Sequence, residues 1–124
     1  MINLDFRDSR PVYEQIKDKI KNLIVSGALV TGDRIMSVRE TAARLTINPN
    51  TIVKAYKELE NEGYIYSVKG KGYFVADTGS ILDSSSCEDM LSELEKKLAE
   101  LCFLGIEKEK IDNIVKKIWS ERND

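Results

Sequence analysis

Residues 37–63 read Ser37-Val38-Arg39-Glu40-Thr41-Ala42-Ala43-Arg44-Leu45-Thr46-Ile47-Asn48-Pro49-Asn50-Thr51-Ile52-Val53-Lys54-Ala55-Tyr56-Lys57-Glu58-Leu59-Glu60-Asn61-Glu62-Gly63, and two helix starts are written into this stretch. Ser37 to Glu40 matches the capping box S-x-x-E, in which a hydroxyl and a carboxylate satisfy the backbone N–H groups that open a helix. Val38, Ala42 and Leu45 then give one apolar stripe, so a short helix ends near Leu45. After Thr46-Ile47, Asn48 is a good cap and Pro49 occupies the first helical position, where its missing N–H costs nothing. The spacing of Ile52, Ala55, Tyr56 and Leu59 predicts a helix from Pro49 to about Glu62, stopped by Gly63, with one face in the core. The opposite face carries Asn50, Val53, Lys54 and Lys57.

Upstream, Val12, Ile16, Ile20, Leu23 and Ile24 recur at helical spacing between Pro11 and Gly27, which places a first helix near 11–26. The stretch from Gly27 to Arg34 reads as a loop with some buried apolar residues. Downstream, the β-rich runs Tyr64–Val68 and Tyr73–Ala76 flank Lys69-Gly70-Lys71-Gly72, whose glycines permit the positive φ of a hairpin turn. Asp77 to Ser86 is polar and serine-rich and reads as a linker. The expected division is a domain of residues 1–78 followed by a helical unit of residues 79–124. In the second part Cys87, Leu91, Leu94, Leu98 and Leu101 are spaced 4, 3, 4 and 3 apart, a seam suited to coiled-coil packing. Ile111, Ile114, Val115, Ile118 and Trp119 form another apolar face. The fold class is α+β and mostly helical, with the C-terminal seams as an αα-hairpin too small to bury both by itself.

Composition narrows the chemistry. The chain has 124 residues, 32 % of them charged, and no histidine, so the commonest general base and metal ligand is missing. No catalytic, metal or cofactor site is expected, and Cys87 and Cys102 read as buried thiols, with a redox switch as the alternative. No apolar run approaches the roughly 20 residues of a membrane span. Met1-Ile2-Asn3-Leu4-Asp5 lacks the basic start and apolar stretch of a signal peptide, so a cytoplasmic location is expected. The net charge of −2 is unevenly distributed. Residues 1–78 hold 12 Lys and Arg against 10 Asp and Glu, whereas residues 79–124 hold 7 against 11.

Helix, helix, helix and a lysine-tipped hairpin, in that order, is the winged helix-turn-helix arrangement. The N-terminal turn of its third helix can enter a major groove, and its hairpin can reach an adjacent groove or phosphates. Arg39 offers a planar five-donor fork at a helix start, suited to phosphate or guanine. Asn50 can bridge an adenine edge, Lys54 can reach guanine or phosphate, and Lys69 and Lys71 face phosphates. Ser37 reads first as a helix cap, with phosphate contact secondary, and Asn48 equally as a cap or a base reader. Tyr13, Tyr56 and Phe74 read as core.

Pro11-Val12-Tyr13-Glu14-Gln15-Ile16, the segment Ile35 to Ala42, Asn48-Pro49-Asn50-Thr51-Ile52, Ala55-Tyr56, Leu59-Glu60, Glu62-Gly63 and the wing Gly70 to Val75 together resemble the GntR family of bacterial transcription regulators, over about 65 residues in order. The short two-helix C-terminus resembles the YtrA subfamily. Met36 stands where the family usually has proline, and Pro49 and Val53 stand where many members outside that subfamily have arginine. The resemblance implies that Ser37 and Arg39 approach the DNA backbone, that Asn48, Pro49, Asn50 and Thr51 lie at the base-reading end, with Lys54 and Lys57 further along, and that the wing around Gly70 enters the minor groove. It further implies a homodimeric repressor on a palindromic operator, in YtrA-type members often beside ABC transporter genes, with double-stranded DNA as partner. Leu91, Leu94, Leu98, Leu101, Ile111, Ile114, Val115, Ile118 and Trp119 would form the dimer interface, the alternative being a hairpin that folds back on the winged helix of its own chain. No effector is assigned; one would bind between the subunits. The rival reading is a winged helix that grips another protein and binds no DNA.

Overall fold

The computed structural model describes residues 4–122 except Phe6, Asp8 and Asp83, so Met1 to Asn3 lie outside the described residues. The backbone divides into two compact units, the first ending at Cys87 and the second beginning at Glu88.

The first unit opens with α1 (Val12–Val25), α2 (Val38–Leu45) and α3 (Pro49–Asn61), followed by the antiparallel strands β1 (Ile65–Val68) and β2 (Gly72–Val75). Each helix forms where its caps and apolar spacing place it. Ser37 Oγ accepts the Glu40 N–H at 3.1 Å, Asn48 Oδ1 accepts the Asn50 N–H at 2.9 Å, and Gly63, at φ 87°, carries the chain out of α3. Ile16 and Ile20 of α1 meet Ala42 of α2, Ile52, Ala55, Tyr56 and Leu59 of α3 and Ile65 and Val75 of the hairpin in one buried cluster. Burying side chains of this size contributes roughly 1.5–3 kcal/mol each for the larger aliphatic ones. Around the cluster's edge, Lys17 of α1 pairs with Glu58 at 2.8 Å and Glu62 at 2.9 Å, and Lys21 reaches Glu62 at 3.0 Å. Burial works to raise the Glu62 pKa, but the hydrogen bonds and charges of Lys17 and Lys21 outweigh it and hold the carboxyl below its ordinary value. These ion pairs tie α1 to the C-terminal half of α3.

In this unit three features differ from the sequence reading. The loop between Gly27 and Met36 is tied to β2 by an isolated antiparallel bridge: Ile35 N–H donates to the Tyr73 carbonyl at 3.0 Å, Val75 N–H donates to the Asp33 carbonyl at 2.8 Å, and Arg34 pairs with Phe74. Phe74 is not core. Its register with Tyr66 and Arg34 turns it to the outer face of the hairpin, where it stacks on Tyr66 with centroids 5.8 Å apart, while Tyr73 and Val75 point inward. The stretch read as a linker contains a helix, α4 (Thr78–Leu82). Asp77 Oδ1 accepts the Ser80 N–H at 3.0 Å, Ile81 packs on the core, and Ser84 Oγ donates to the Glu62 carbonyl at 3.0 Å. A Cβ on Gly63 would collide with the backbone of Ser80 and Ile81, so α4 closes directly over that turn.

The second unit consists of α5 (Ser86–Phe103), which begins at the end of the first unit, and α6 (Lys108–Arg122), joined through Gly105 at φ 86°. From Glu88 onward no described residue is buried. Leu98, Leu101 and Ile111 are half-buried, and the rest of the two apolar seams beyond Cys87 is exposed. Cys102 accordingly is exposed, contrary to its reading as a buried thiol, while Cys87 is half-buried.

Candidate nucleic-acid interface

The arrangement that could meet DNA is assembled by α2, α3 and the hairpin. The turn between the two helices is short: Thr46 takes the left-handed conformation at φ 54°, and Ile47 N–H donates to the Ala42 carbonyl at 3.1 Å. A β-branched residue in that region is strained by the order of 1–3 kcal/mol, which the surrounding packing must offset. Tyr56 fixes the angle between the helices. Its hydroxyl donates to the Met36 carbonyl at 2.6 Å and lies 3.0 Å from Thr41 Oγ1, so a buried side chain of α3 is bonded both to the residue before the Ser37 cap and to α2 itself. Burial pushes the phenol's pKa above its ordinary value. The edge-on contact of its ring with Tyr73, 5.1 Å between centroids, extends the same support to the wing.

Upon that frame the residues singled out in the sequence fall into three groups. Ser37 and Asn48 use their side-chain oxygens as caps; Ser37 Oγ also donates to Glu40 Oε1 at 3.2 Å. Arg39, Pro49, Asn50 and Lys57 are exposed, and Thr51 is half-buried, all on α2 or on the N-terminal two-thirds of α3. Lys54 is exposed as well, but its ammonium stands 4.0 Å from the Tyr13 ring centroid of α1, a cation–π contact that holds its stem down. Lys69, Gly70 and Lys71 form the exposed hairpin tip, where Lys71 N–H donates to the Val68 carbonyl at 2.9 Å and Gly70 takes φ 77°.

The charges in this unit are segregated. Glu58 and Glu62 are occupied by Lys17 and Lys21, and Glu60 accepts from Ser67 N–H and Oγ at 3.1 and 2.7 Å. Among the described residues, Arg39, Lys57, Lys69 and Lys71 pair with no carboxylate. The acids of α3 are thus spent near its C-terminal end on internal contacts, and its N-terminal part presents amides and cations. Arg34, which the sequence placed in a loop, joins this cationic set because it pairs with the wing; only this long-range pairing within the chain reveals it. No cluster of ligating side chains able to hold a metal occurs among the described residues.

Two capped helices at a tight turn, a polar and cationic N-terminal face on the second, and a lysine-tipped wing define a winged helix-turn-helix regulator. The chain belongs to the GntR family: the family description "Bacterial regulatory proteins, gntR family" matches residues 12–75. It is 38 % identical over 122 residues to the HTH-type transcriptional repressor YtrA of Bacillus subtilis, covering 98 % of this chain and 94 % of that protein. The likeness therefore extends through the tail. Among solved structures, a transcriptional antiterminator from Listeria monocytogenes EGD-e superposes with a TM-score of 0.80 at 38 % identity, over 95 % of this chain and 89 % of that one. The AraR DNA-binding domain in complex with operator ORE1 superposes with a TM-score of 0.53 at 32 % identity, over 61 % of this chain and 93 % of that one.

Proposed function

We propose that this GntR-family regulator is a homodimeric repressor that occupies a palindromic operator through the domain of residues 1–78 and is paired through residues 79–124. In each head the first turn of α3, with Asn48, Pro49, Asn50 and Thr51, faces base edges, Lys54 and Lys57 flank it, Ser37 and Arg39 meet the backbone, and Lys69, Gly70 and Lys71 reach the neighbouring groove. The solved AraR complexes, in which a related domain is bound to operator DNA, support this use of the head. The target suggested by the YtrA likeness is an operon of ABC transporter genes.

The observation that carries the dimer is the state of the tail. Leu91, Leu94, Ile114, Val115, Ile118 and Trp119 are exposed, Trp119 by 63 %, along two helices that bury nothing from Glu88 onward. Contiguous apolar faces of this extent mark an interaction surface. A second copy supplies the same faces, and two-fold pairing is what a regulator needs to set two reading heads on half-sites about 34–36 Å apart. Leu98, Leu101 and Ile111, already half-buried, would complete that interface.

DNase footprinting of the region upstream of the protein's own gene tests the reading. The expected result is protection of two symmetric half-sites at low salt, weakening as salt rises because bound phosphates release counterions. Absence of protection at low salt would favour the protein-binding alternative instead.

A further inference from the structure

We infer that Arg34, outside both the helix pair and the hairpin, is a DNA-contacting and wing-positioning residue: it braces the wing tip and adds a third cation to it, directed at backbone phosphate. The inference rests on the DNA-binding reading above and adds to it a residue that neither the helix-turn-helix pattern nor the wing pattern contains.

The backbone of residues 33–35 is locked to β2 on both sides of Arg34, by Val75 N–H to the Asp33 carbonyl at 2.8 Å and by Ile35 N–H to the Tyr73 carbonyl at 3.0 Å. Arg34 therefore lies opposite Phe74 and shares the outer face of the hairpin with Phe74 and Tyr66. From there its side chain runs along the wing toward the tip, where Nε donates to the Lys71 carbonyl at 3.2 Å. It passes so close to Gly72 that a Cβ at that position would lie 3.3 Å from Nε. Gly72, at φ 114°, thus serves both the turn and the passage of the arginine. The one N–H used in the brace leaves the other guanidinium donors available, and among the described residues no carboxylate pairs with them. The nearest acid in sequence, Asp33, is turned away to accept the Val30 N–H at 2.9 Å. Arg34, Lys69 and Lys71 line one shallow open groove with Ser67 and the two tip glycines. Three cations around a groove with no acid in its lining suit phosphate, and a planar fork can hold the loop with one edge while offering the other to an anion, a fixed geometry that an ammonium on a flexible stem lacks.

The test starts with a duplex selected from a randomised pool by the wild-type chain, and titrates that duplex at several salt concentrations with wild type, Arg34→Ala, Arg34→Gln and Arg34→Lys, each checked by thermal melting. Arg34→Ala is expected to bind about 10-fold more weakly at 0.1 M salt, with the slope of log affinity against log salt shallower by about 0.9, the value of one lost phosphate contact. Arg34→Gln, which keeps a donor but no charge, should show the same shallower slope. Arg34→Lys should keep the wild-type slope yet bind more weakly, because the brace is lost. Wild-type affinity or a wild-type slope in Arg34→Ala overturns the inference. Should that variant melt early, equal slopes for the Gln and Lys variants overturn it. Failure of the wild-type chain to select any duplex is a different result and removes the DNA-binding reading itself.

Discussion

The first unit and the tail spend similar apolar residues in opposite ways. In the first, Ile16, Ile52, Tyr56, Leu59, Ile65 and Val75 are almost fully buried, and the helices, hairpin and α4 converge on them. In the tail, leucines and isoleucines at equally regular helical spacing remain exposed, and Phe103 and Leu104 at the turn are 89 % and 71 % exposed. Helical periodicity tells which residues share a face, not what covers that face. Where a third and fourth element pack in, the face becomes a core. Where the chain supplies only two helices, the face stays exposed. Charge follows the same division, since the acids of α3 are consumed inside the head while those of the tail, such as Glu93 and Glu100, only bridge exposed lysines on their own helix.

The contrast can be broken first from the tail side. Leu94→Asp combined with Ile118→Asp should dissociate the proposed dimer and lower operator affinity by about 100-fold or more, since the second head no longer binds as a tethered partner. Far-ultraviolet melting of the head transition should stay where it was; a large fall in melting temperature would mean that these faces support the head after all. From the head side, Gly63→Ala forces an unfavourable backbone conformation and a collision with α4, at a cost of roughly 3 kcal/mol by urea denaturation. If it is tolerated, α4 is not held against the head as described. Tyr56→Phe leaves the Met36 carbonyl and Thr41 hydroxyl without their partner and should cost about 1–2 kcal/mol.

The smallest effect concerns pH. Because the folded-state pKa of Glu62 is lowered from 4.5, its contribution is present above that value and disappears as pH falls through the lowered pKa. Lys17 runs the other way: burial lowers its pKa, the bonds to Glu58 and Glu62 outweigh that, and its contribution is lost only as pH rises through a value above 10.5. Glu62→Gln should therefore cost up to about 1 kcal/mol at neutral pH and flatten the acid side of the stability profile. An unchanged acid limb would show that the pairs tying α1 to α3 are too solvated to matter.

Much of this fold was legible before any coordinates. Caps at Ser37 and Asn48, the spacing of Ile52, Ala55, Tyr56 and Leu59, and the glycines of the wing are local signals, and each element they indicate is present. What escaped is what depends on distant parts of the chain. Helix α4 has only five residues with a glycine among them, and its stability comes from Ile81 on the core and Ser84 on Glu62. Tyr73, Phe74 and Val75 are all apolar, so no alternation shows that Phe74 faces outward; the register with Tyr66 and Arg34 does. For the interface, residue types announced the amides and lysines, but the engagement of Lys54 with Tyr13 and of Arg34 with Lys71 joins residues 41 and 37 positions apart.

On the proposed reading, one part of the chain reads DNA and the other pairs the readers. Sedimentation equilibrium of the full chain beside a fragment ending at Cys87, which retains the whole head core and α4, tests it most directly. The expected result is twice the 14.1 kDa chain mass for the full protein and a monomeric fragment. A monomeric full chain at micromolar concentration, or a fragment that remains dimeric, would contradict it.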